Sequence, residues 1–211
     1  MTAKYFRCWK LIEVALLAGL AICLLTGGLA AETQKQLADR VVRLHVLANS
    51  DSEADQALKL EVRDAVTERT EGLLKLVSGR QEAEDVLRQH LPELEQLAEE
   101  QVRASGYGYP VNVELAVTDF PTKEYDGFSL PAGEYLALRV LIGEAAGQNW
   151  WCVVFPPLCT AAASDVAVTA LAAGLDEEQV RLITEQDGYI LRFKTVEWWQ
   201  RLKENIENQC M

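Results

Sequence analysis

Residues 111–118 read VNVELAVT, and this stretch decides the fold class because apolar residues occupy every second position. A period of two is typical of an antiparallel strand with one buried face. Residues 136–142 (LALRVLI) repeat the alternation and predict a second strand. Residues 150–155 (WWCVVF) are apolar on both faces and predict a central strand. The turn-rich segment Pro121–Gly133 is predicted to be a loop.

Upstream of these strands, the hydrophobic period changes along the chain. Residues 41–47 (VVRLHVL) predict one further strand. Ser50 followed by Glu53 has the pattern of a capping box, so a helix is expected to begin there. Apolar residues recur at helical spacing over residues 58–77, which predicts that this helix is long.

A second helical stretch covers residues 81–104, and Pro92 is expected to kink or split it. After the strands, residues 161–175 are rich in Ala and predict a helix. Residues 189–194 predict a last strand, and residues 196–208 an amphipathic closing helix. Since no repeat or linker interrupts this part of the chain, we predict one α+β domain in which an antiparallel sheet packs against helices.

Residues 1–30 have the layout of a secretory signal peptide. Basic residues precede an uncharged apolar run, and small residues follow around Ala30 and Ala31, where cleavage is expected. The alternative is a retained membrane anchor over residues 11–31, although a charge and a pair of glycines near its ends leave fewer than the ~20 apolar residues that a membrane-crossing helix prefers. Both interpretations predict export, and both leave residues 31–211 as the folded domain.

The charge of the chain excludes several classes of partner. The chain has 32 acidic residues against 20 basic ones, a net charge of −12 at pH 7. Nucleic acid is not expected as a partner, because binding to its phosphates requires a surface of Lys and Arg. Adsorption to anionic lipid is disfavoured for the same reason, so contact with a membrane is expected only through the N-terminal segment.

No constellation of residues in the sequence predicts a cofactor, a bound metal or a small-molecule substrate. The two histidines do not have the spacing of metal ligands. Asp51, Glu53 and Asp55 are close enough in sequence for a cation site, but acids in the first turn of a helix also satisfy its free N–H groups. An exported hydrolase that uses such an acidic site, or Cys152 with His45 as its base, is the alternative left open.

Cys152 and Cys159 flank the sequence VVFPPL, in which two adjacent prolines turn the chain. A disulfide between them is therefore predicted for an exported protein, and two buried free thiols are the alternative. Trp150 and Trp151 point to opposite faces of their strand. An outward tryptophan is a natural interaction anchor, although core packing on both sides is also compatible with the pattern.

Two long blocks of this sequence resemble the stage II sporulation protein R family. The first is RLHVLANSDS at residues 43–52, which continues with DQALKL at 55–60 and VRDAV at 62–66. The second is QNWWCVVFPPLC at residues 148–159. With the export segment and the strand-rich middle, the resemblance extends over roughly residues 35–160.

The resemblance implies a signalling protein of endospore-forming bacteria. Members of the family are made in the forespore and exported into the space between the two membranes of the developing spore. There they trigger a membrane-embedded aspartic protease that processes the sigma-E precursor. The implied role is that of an activating ligand and not of an enzyme, with a structural domain of the spore envelope as a further alternative.

A ligand that activates a partner must bind the active state of that partner more tightly than the inactive state. We expect the contact surface at the end of the first strand and in the cap that follows it. The candidate residues are Arg43, His45, Asn49 and Asp51, with Trp150 or Trp151 as an aromatic anchor.

Overall fold

The computed structural model describes residues 16–19, 21, 32, 34–160 and 165–184. The chain divides into two units, Met1–Gln36 and Leu37–Met211. In the first unit, the described residues are helical. No helix in the described part of the chain is long and apolar enough to cross a membrane. The predicted cleavage site at Ala30 and Ala31, the last strand and the closing helix all lie outside the described residues.

The second unit is an α+β fold, as the sequence predicts. Its elements in chain order are β1 (Val42–Leu47), α1 (Glu53–Leu74), α2 (Arg80–Ala104), β2 (Val111–Phe120), β3 (Lys123–Tyr125), β4 (Phe128–Leu130), β5 (Gly133–Ile142), β6 (Asn149–Phe155), α3 (Val166–Ala172) and α4 (Glu177–Thr184). The larger sheet has four strands and the smaller has two.

The four-stranded sheet has the order β2-β5-β1-β6, and two of its three strand pairs are antiparallel. The exception is the parallel pair β1–β5. The prediction that residues 150–155 form a central strand is wrong, because β6 lies at the edge of the sheet. Its last four residues are nevertheless buried, and they pack on both faces, since Val154 belongs to one apolar cluster and Val153 to another.

One face of this sheet is covered by α1 and α2, and we call it the helix face. Alternate residues of β5, Leu136, Leu138, Val140 and Ile142, point into this layer and are buried. They pack with buried residues of the two helices, such as Leu58, Val62, Leu87 and Leu94. Burial of this apolar area is the main stabilising contribution to the fold.

Pro92 does not split the second helix, because α2 is continuous from Arg80 to Ala104. Proline removes one backbone hydrogen bond within a helix and leaves the carbonyl of residue 88 without its usual donor. Pro92 is exposed, so water solvates this turn, while Leu87 and Leu94 on either side stay buried. Packing of the helix face therefore overrides the local preference.

The first helix begins two residues later than a cap at Ser50 would place it. Ser52 is the N-cap, and its hydroxyl accepts a hydrogen bond from the backbone N of Asp55 at 3.1 Å. The Ser50 hydroxyl instead donates to the Asp55 carboxylate at 2.5 Å. The predicted capping box with Glu53 is therefore wrong, although Ser50 does stabilise the same turn.

The segment predicted as a loop, Pro121–Gly133, contains the hairpin β3–β4. Its two-residue turn is Asp126–Gly127, and Gly127 has a positive φ of 84°. Asp-Gly is a favoured sequence for such turns because glycine adopts this conformation without steric cost. The hairpin, α3 and α4 contribute to a second apolar cluster that includes Phe120, Phe128, Leu130, Val153, Val166 and Ile183.

Candidate functional site

The sheet face opposite the helix face carries a row of polar and aromatic side chains, which we call the polar face. The strand register places Glu114 opposite Arg139, Arg139 beside His45, and His45 opposite Trp151, so the row crosses all four strands. Arg43 lies two residues before His45 on β1 and therefore points to the same face. The polar face is defined by these five residues.

Arg43 is fully buried, although it was predicted to contact a partner. Its guanidinium lies 3.9 Å from the centroid of the Phe120 ring and 4.9 Å from that of Tyr135. Nη2 donates a hydrogen bond to the Tyr125 hydroxyl at 2.8 Å. Burial lowers the pKa of Arg43, while the hydrogen bond with Tyr125 opposes that shift. The side chain is covered because β1 is a central strand and the β3–β4 hairpin lies over it.

His45 is buried as well, with 7% of its surface exposed. Its Nε2 lies 2.6 Å from Oδ1 of Asn149, and its ring lies 5.8 Å from Phe120 and 5.9 Å from Trp151. Burial lowers the pKa of His45, and the positive charges of Arg139 and Arg43 act in the same direction. The imidazole is therefore held in its neutral form, out of reach of a docking surface in this conformation.

The remaining charges of the polar face lie nearer to solvent. Arg139 Nη1 donates to the Glu114 carboxylate at 2.5 Å across the β2–β5 pair. Nζ of Lys123, on the hairpin, lies 4.6 Å from the centroid of the half-buried Trp151 ring. The polar face thus combines cationic groups with aromatic rings, an arrangement in which ring faces stabilise positive charge.

Asn49 and Asp51 hold the loop between β5 and β6 in place. The Asn49 side chain accepts a hydrogen bond from the backbone N of Glu144 and donates one to Asp55, and Asp51 accepts one from the backbone N of Gln148 at 2.7 Å. A Cβ on Gly147 would lie 2.2 Å from the backbone oxygen of Ser50. These contacts explain, without a partner, why the two polar side chains stand at these positions.

Asp55 is buried and takes part in this hydrogen-bond network. Hydrogen bonds from Ser50 and Asn49 lower its pKa and keep the carboxylate charged. The three acids considered for a cation site thus serve different purposes, since Asp51 binds the loop and Glu53 begins the helix. In the described part of the chain, no group of three His, Cys, Asp or Glu side chains is placed to hold a metal ion.

Trp150 is 38% exposed and points to the side of the sheet where α1 lies. The guanidinium of Arg63 on α1 lies 4.3 Å from the centroid of its ring. Leu60, one helical turn before Arg63, is 37% exposed. Trp150 and Arg63 form what we call the Trp150 surface. Of the two tryptophans predicted as anchors, Trp150 therefore has the more open position.

Cys152 and Cys159 form a disulfide, with their Cα atoms 6.0 Å apart. Cys159 Sγ also accepts a hydrogen bond from the backbone N of Val153 at 3.0 Å, so the loop folds back on β6. Cys152 packs in the cluster of the helix face, whereas His45 lies on the polar face. The nucleophile–base pair considered for a hydrolase is therefore wrong: the sheet separates the two side chains, and the sulfur is bonded.

A cavity of about 780 Å³ lies at the end of the first helix. It is lined by the C-terminal end of α1, including Glu71 and Leu74, by Phe155 and by Val168 of α3. None of the residues predicted from the sequence as a site lines it. The site residues that the sequence did not suggest are Phe120, Tyr125, Tyr135 and Arg139. Only Tyr125 lies in the segment predicted as a loop, where an aromatic residue was an available signal.

The fold and the polar face define an α+β domain whose polar centre is a buried cation in an aromatic setting. The family model for stage II sporulation protein R matches residues 38–165. Stage II sporulation protein R of Bacillus subtilis (strain 168) is 40% identical over 147 residues, which cover 68% of this chain and 66% of that relative. The chain therefore belongs to the stage II sporulation protein R family and has a role in sporulation. No solved structure matches it.

Proposed function

We propose that this protein is an exported signalling protein that activates a membrane-embedded aspartic protease and so leads to processing of the sigma-E precursor. It is made in the forespore and acts from the space between the two membranes of the developing spore. Membership of the family carries the proposal, because the family match spans both blocks on which the resemblance rests. The protein acts as a ligand and not as a catalyst.

Activation by a ligand requires a surface that contacts the active state of the protease better than the inactive state. Arg43 and His45 are buried, so direct contact falls to exposed groups. The Trp150 surface is suited to this role, because tryptophan and arginine are enriched among the residues that dominate binding energy. Its tryptophan lies at the edge of the sheet, where a partner has access to it.

Deletion of the gene in its sporulating host tests the signalling role. We expect the sigma-E precursor to remain unprocessed in the deletion strain and processing to return when the gene is supplied from the forespore. Immunoblots for the precursor and its product measure the outcome. Normal processing in the deletion strain would disprove the proposal.

The contact surface is tested separately with Trp150→Ala. We expect this variant to be exported at the normal level and processing to fall, since truncation of a tryptophan that dominates an interface costs about 2 kcal/mol or more. Leu76→Ala is the matched control, because Leu76 is an apolar side chain that is 89% exposed and distant from Trp150 in the sequence. Equal processing by both variants at equal protein level would assign the contact to another surface.

A further inference from the structure

The cavity at the C-terminal end of α1 has room for a ligand. Its volume is about 780 Å³, and pockets for small ligands typically measure about 300–1,000 Å³. Part of its wall is apolar, formed by the buried Leu74 and Phe155 and by Val168, whose side chain is 65% exposed. An apolar wall of this kind favours the hydrocarbon part of a ligand, because the contact removes apolar surface from water.

The charged part of the cavity wall is formed by Glu68, Glu71 and Lys75. Glu71 is half-buried, and its Oε1 is buried without a hydrogen-bond partner. Lys75 is exposed and does not bond this oxygen. A buried carboxylate oxygen without a donor is costly, because folding removes the water that would otherwise bind it. With two carboxylates against one ammonium, this part of the wall has an unsatisfied acceptor and an excess of negative charge.

The position of Glu71 at the end of α1 is also electrostatically unfavourable. The C-terminal end of a helix carries a partial negative charge, so cations stabilise it and anions do not. The last turn of α1 includes Glu71 and has no basic residue. By contrast, α2 has Arg103 in its last turn. A cation in the cavity would offset the charge of both the carboxylate and the helix end.

We infer that this cavity binds an alkylammonium group, which is a protonated amine on a short hydrocarbon chain. The ammonium donates to the Glu71 carboxylate beside Glu68, and the hydrocarbon contacts Leu74 and Val168. An ammonium has three donors and no acceptor, which matches a site whose unsatisfied group is an acceptor. The group belongs either to a small free amine or to a lysine side chain of a polypeptide. This inference does not depend on the proposed signalling function.

Titration of the full chain with n-butylammonium chloride tests the inference by NMR, near pH 7 and with ¹³C-labelled Leu and Val methyl groups. We expect the methyl resonances of Leu74 and Val168 to shift in a saturable way, and those of Val46 in the sheet to stay unchanged. Butan-1-ol has the same hydrocarbon chain without the charge and should bind about tenfold more weakly. Sodium butyrate should not bind. Equal affinity for the amine and the alcohol, or shifts that do not saturate, would overturn the inference.

Substitution of the carboxylate provides the second part of the test. Glu71→Gln should raise the Kd for n-butylammonium about tenfold, which is the effect of losing one charge-assisted hydrogen bond. Glu100→Gln is the matched control, because Glu100 is exposed on α2 and does not line the cavity. Unchanged affinity in Glu71→Gln, or an equal loss in the control, would disprove the site.

A second variant keeps the test decisive if Glu71→Gln does not fold. Val168→Lys changes an exposed position in the cavity wall and places an ammonium there. We expect this variant to lose binding of n-butylammonium, because like charges repel and the added side chain occupies the cavity. Binding with unchanged affinity would place the amine elsewhere on the protein.

Two peptides distinguish the sources of the ammonium group. One is an acetylated and amidated Ala-Leu-Lys-Leu, and the other has Gln in place of Lys. Tighter binding of the Lys peptide than of n-butylammonium, with no binding of the Gln peptide, identifies a lysine side chain of a polypeptide as the ligand. Binding of n-butylammonium at least as tightly as the Lys peptide identifies a small free amine. If neither binds, or if the two peptides bind equally, the inference fails.

Discussion

The two faces of the same four-stranded sheet differ in what they contribute. The helix face is apolar throughout its centre, with Leu138 and Val140 fully buried under the helices. The polar face, only one residue further along the same strands, buries Arg43 and His45 instead. Burial of apolar groups stabilises a fold, whereas burial of a cation without a counter-charge costs free energy. The comparison indicates that the helix face contributes more to the stability of the fold than the buried polar groups of the polar face do.

Removal of a side chain from the helix face should have the largest effect on stability. Leu138→Ala should lower the free energy of unfolding by about 2–5 kcal/mol, because it removes buried methylene groups and leaves a cavity. Urea denaturation of the full chain, followed by circular dichroism, measures the change.

Leu141→Ala is the matched control for that prediction. Leu141 lies on the same strand but on the other face, and it is only partly buried. Its replacement should cost less than half as much as that of Leu138. Equal losses for the two variants would contradict the division of roles between the faces.

Replacement of Arg43 should have a much smaller effect, although Arg43 is as deeply buried as Leu138. We expect Arg43→Met to change the free energy of unfolding by less than about 1 kcal/mol in either direction, because apolar replacement of a buried charge is often neutral or stabilising. The loss of the hydrogen bond to Tyr125 is offset because an uncharged side chain costs less free energy to bury than a guanidinium. The same urea experiment applies, and a loss above about 3 kcal/mol would show that Arg43 is a structural residue.

The sequence predicted the helix face better than the polar face for a physical reason. Alternating apolar residues in 111–118 and 136–142 identify β2 and β5 directly, because hydrophobic periodicity reports burial of a single face. The pattern VRLHVL of β1 gave only a strand, and Arg43 and His45 on it were predicted to contact a partner. They are covered by Phe120 and by the β3–β4 hairpin, and these contacts depend on distant parts of the chain that no local period reveals.

Local signals also misled where long-range contacts decide the outcome. The Asp126–Gly127 turn was present in the sequence, yet the short strands around it have too few residues to show a period. Asn49 and Asp51 are polar side chains of the kind found in binding sites. Each already accepts a hydrogen bond from a backbone N–H of the β5–β6 loop. The family resemblance rested on residues 43–66 and 148–159, and the family match at residues 38–165 includes both blocks. A resemblance of this kind compares residues directly and does not require knowledge of the contacts that they make.

The smallest predicted effect concerns the response of the polar face to acid. Burial lowers the pKa of His45 in the folded chain, so the unfolded chain binds a proton more readily at mildly acidic pH. Stability attributable to the neutral ring is therefore complete above the ordinary histidine pKa of about 6.5 and declines as the pH falls toward the lower pKa of the folded state. The hydrogen-bonded Asp55 titrates below its ordinary range and stays charged between pH 5.5 and 7.5.

We expect the free energy of unfolding, measured in urea, to fall between pH 7.5 and 5.5. His45→Gln should reduce this slope while retaining a polar group near Asn149. His90→Gln is the matched control, since His90 is partly exposed on α2, away from the sheet. If both variants keep the full slope, burial of the His45 imidazole does not lower the free energy of unfolding in acid. The contrast between the two faces would then rest on Arg43 alone.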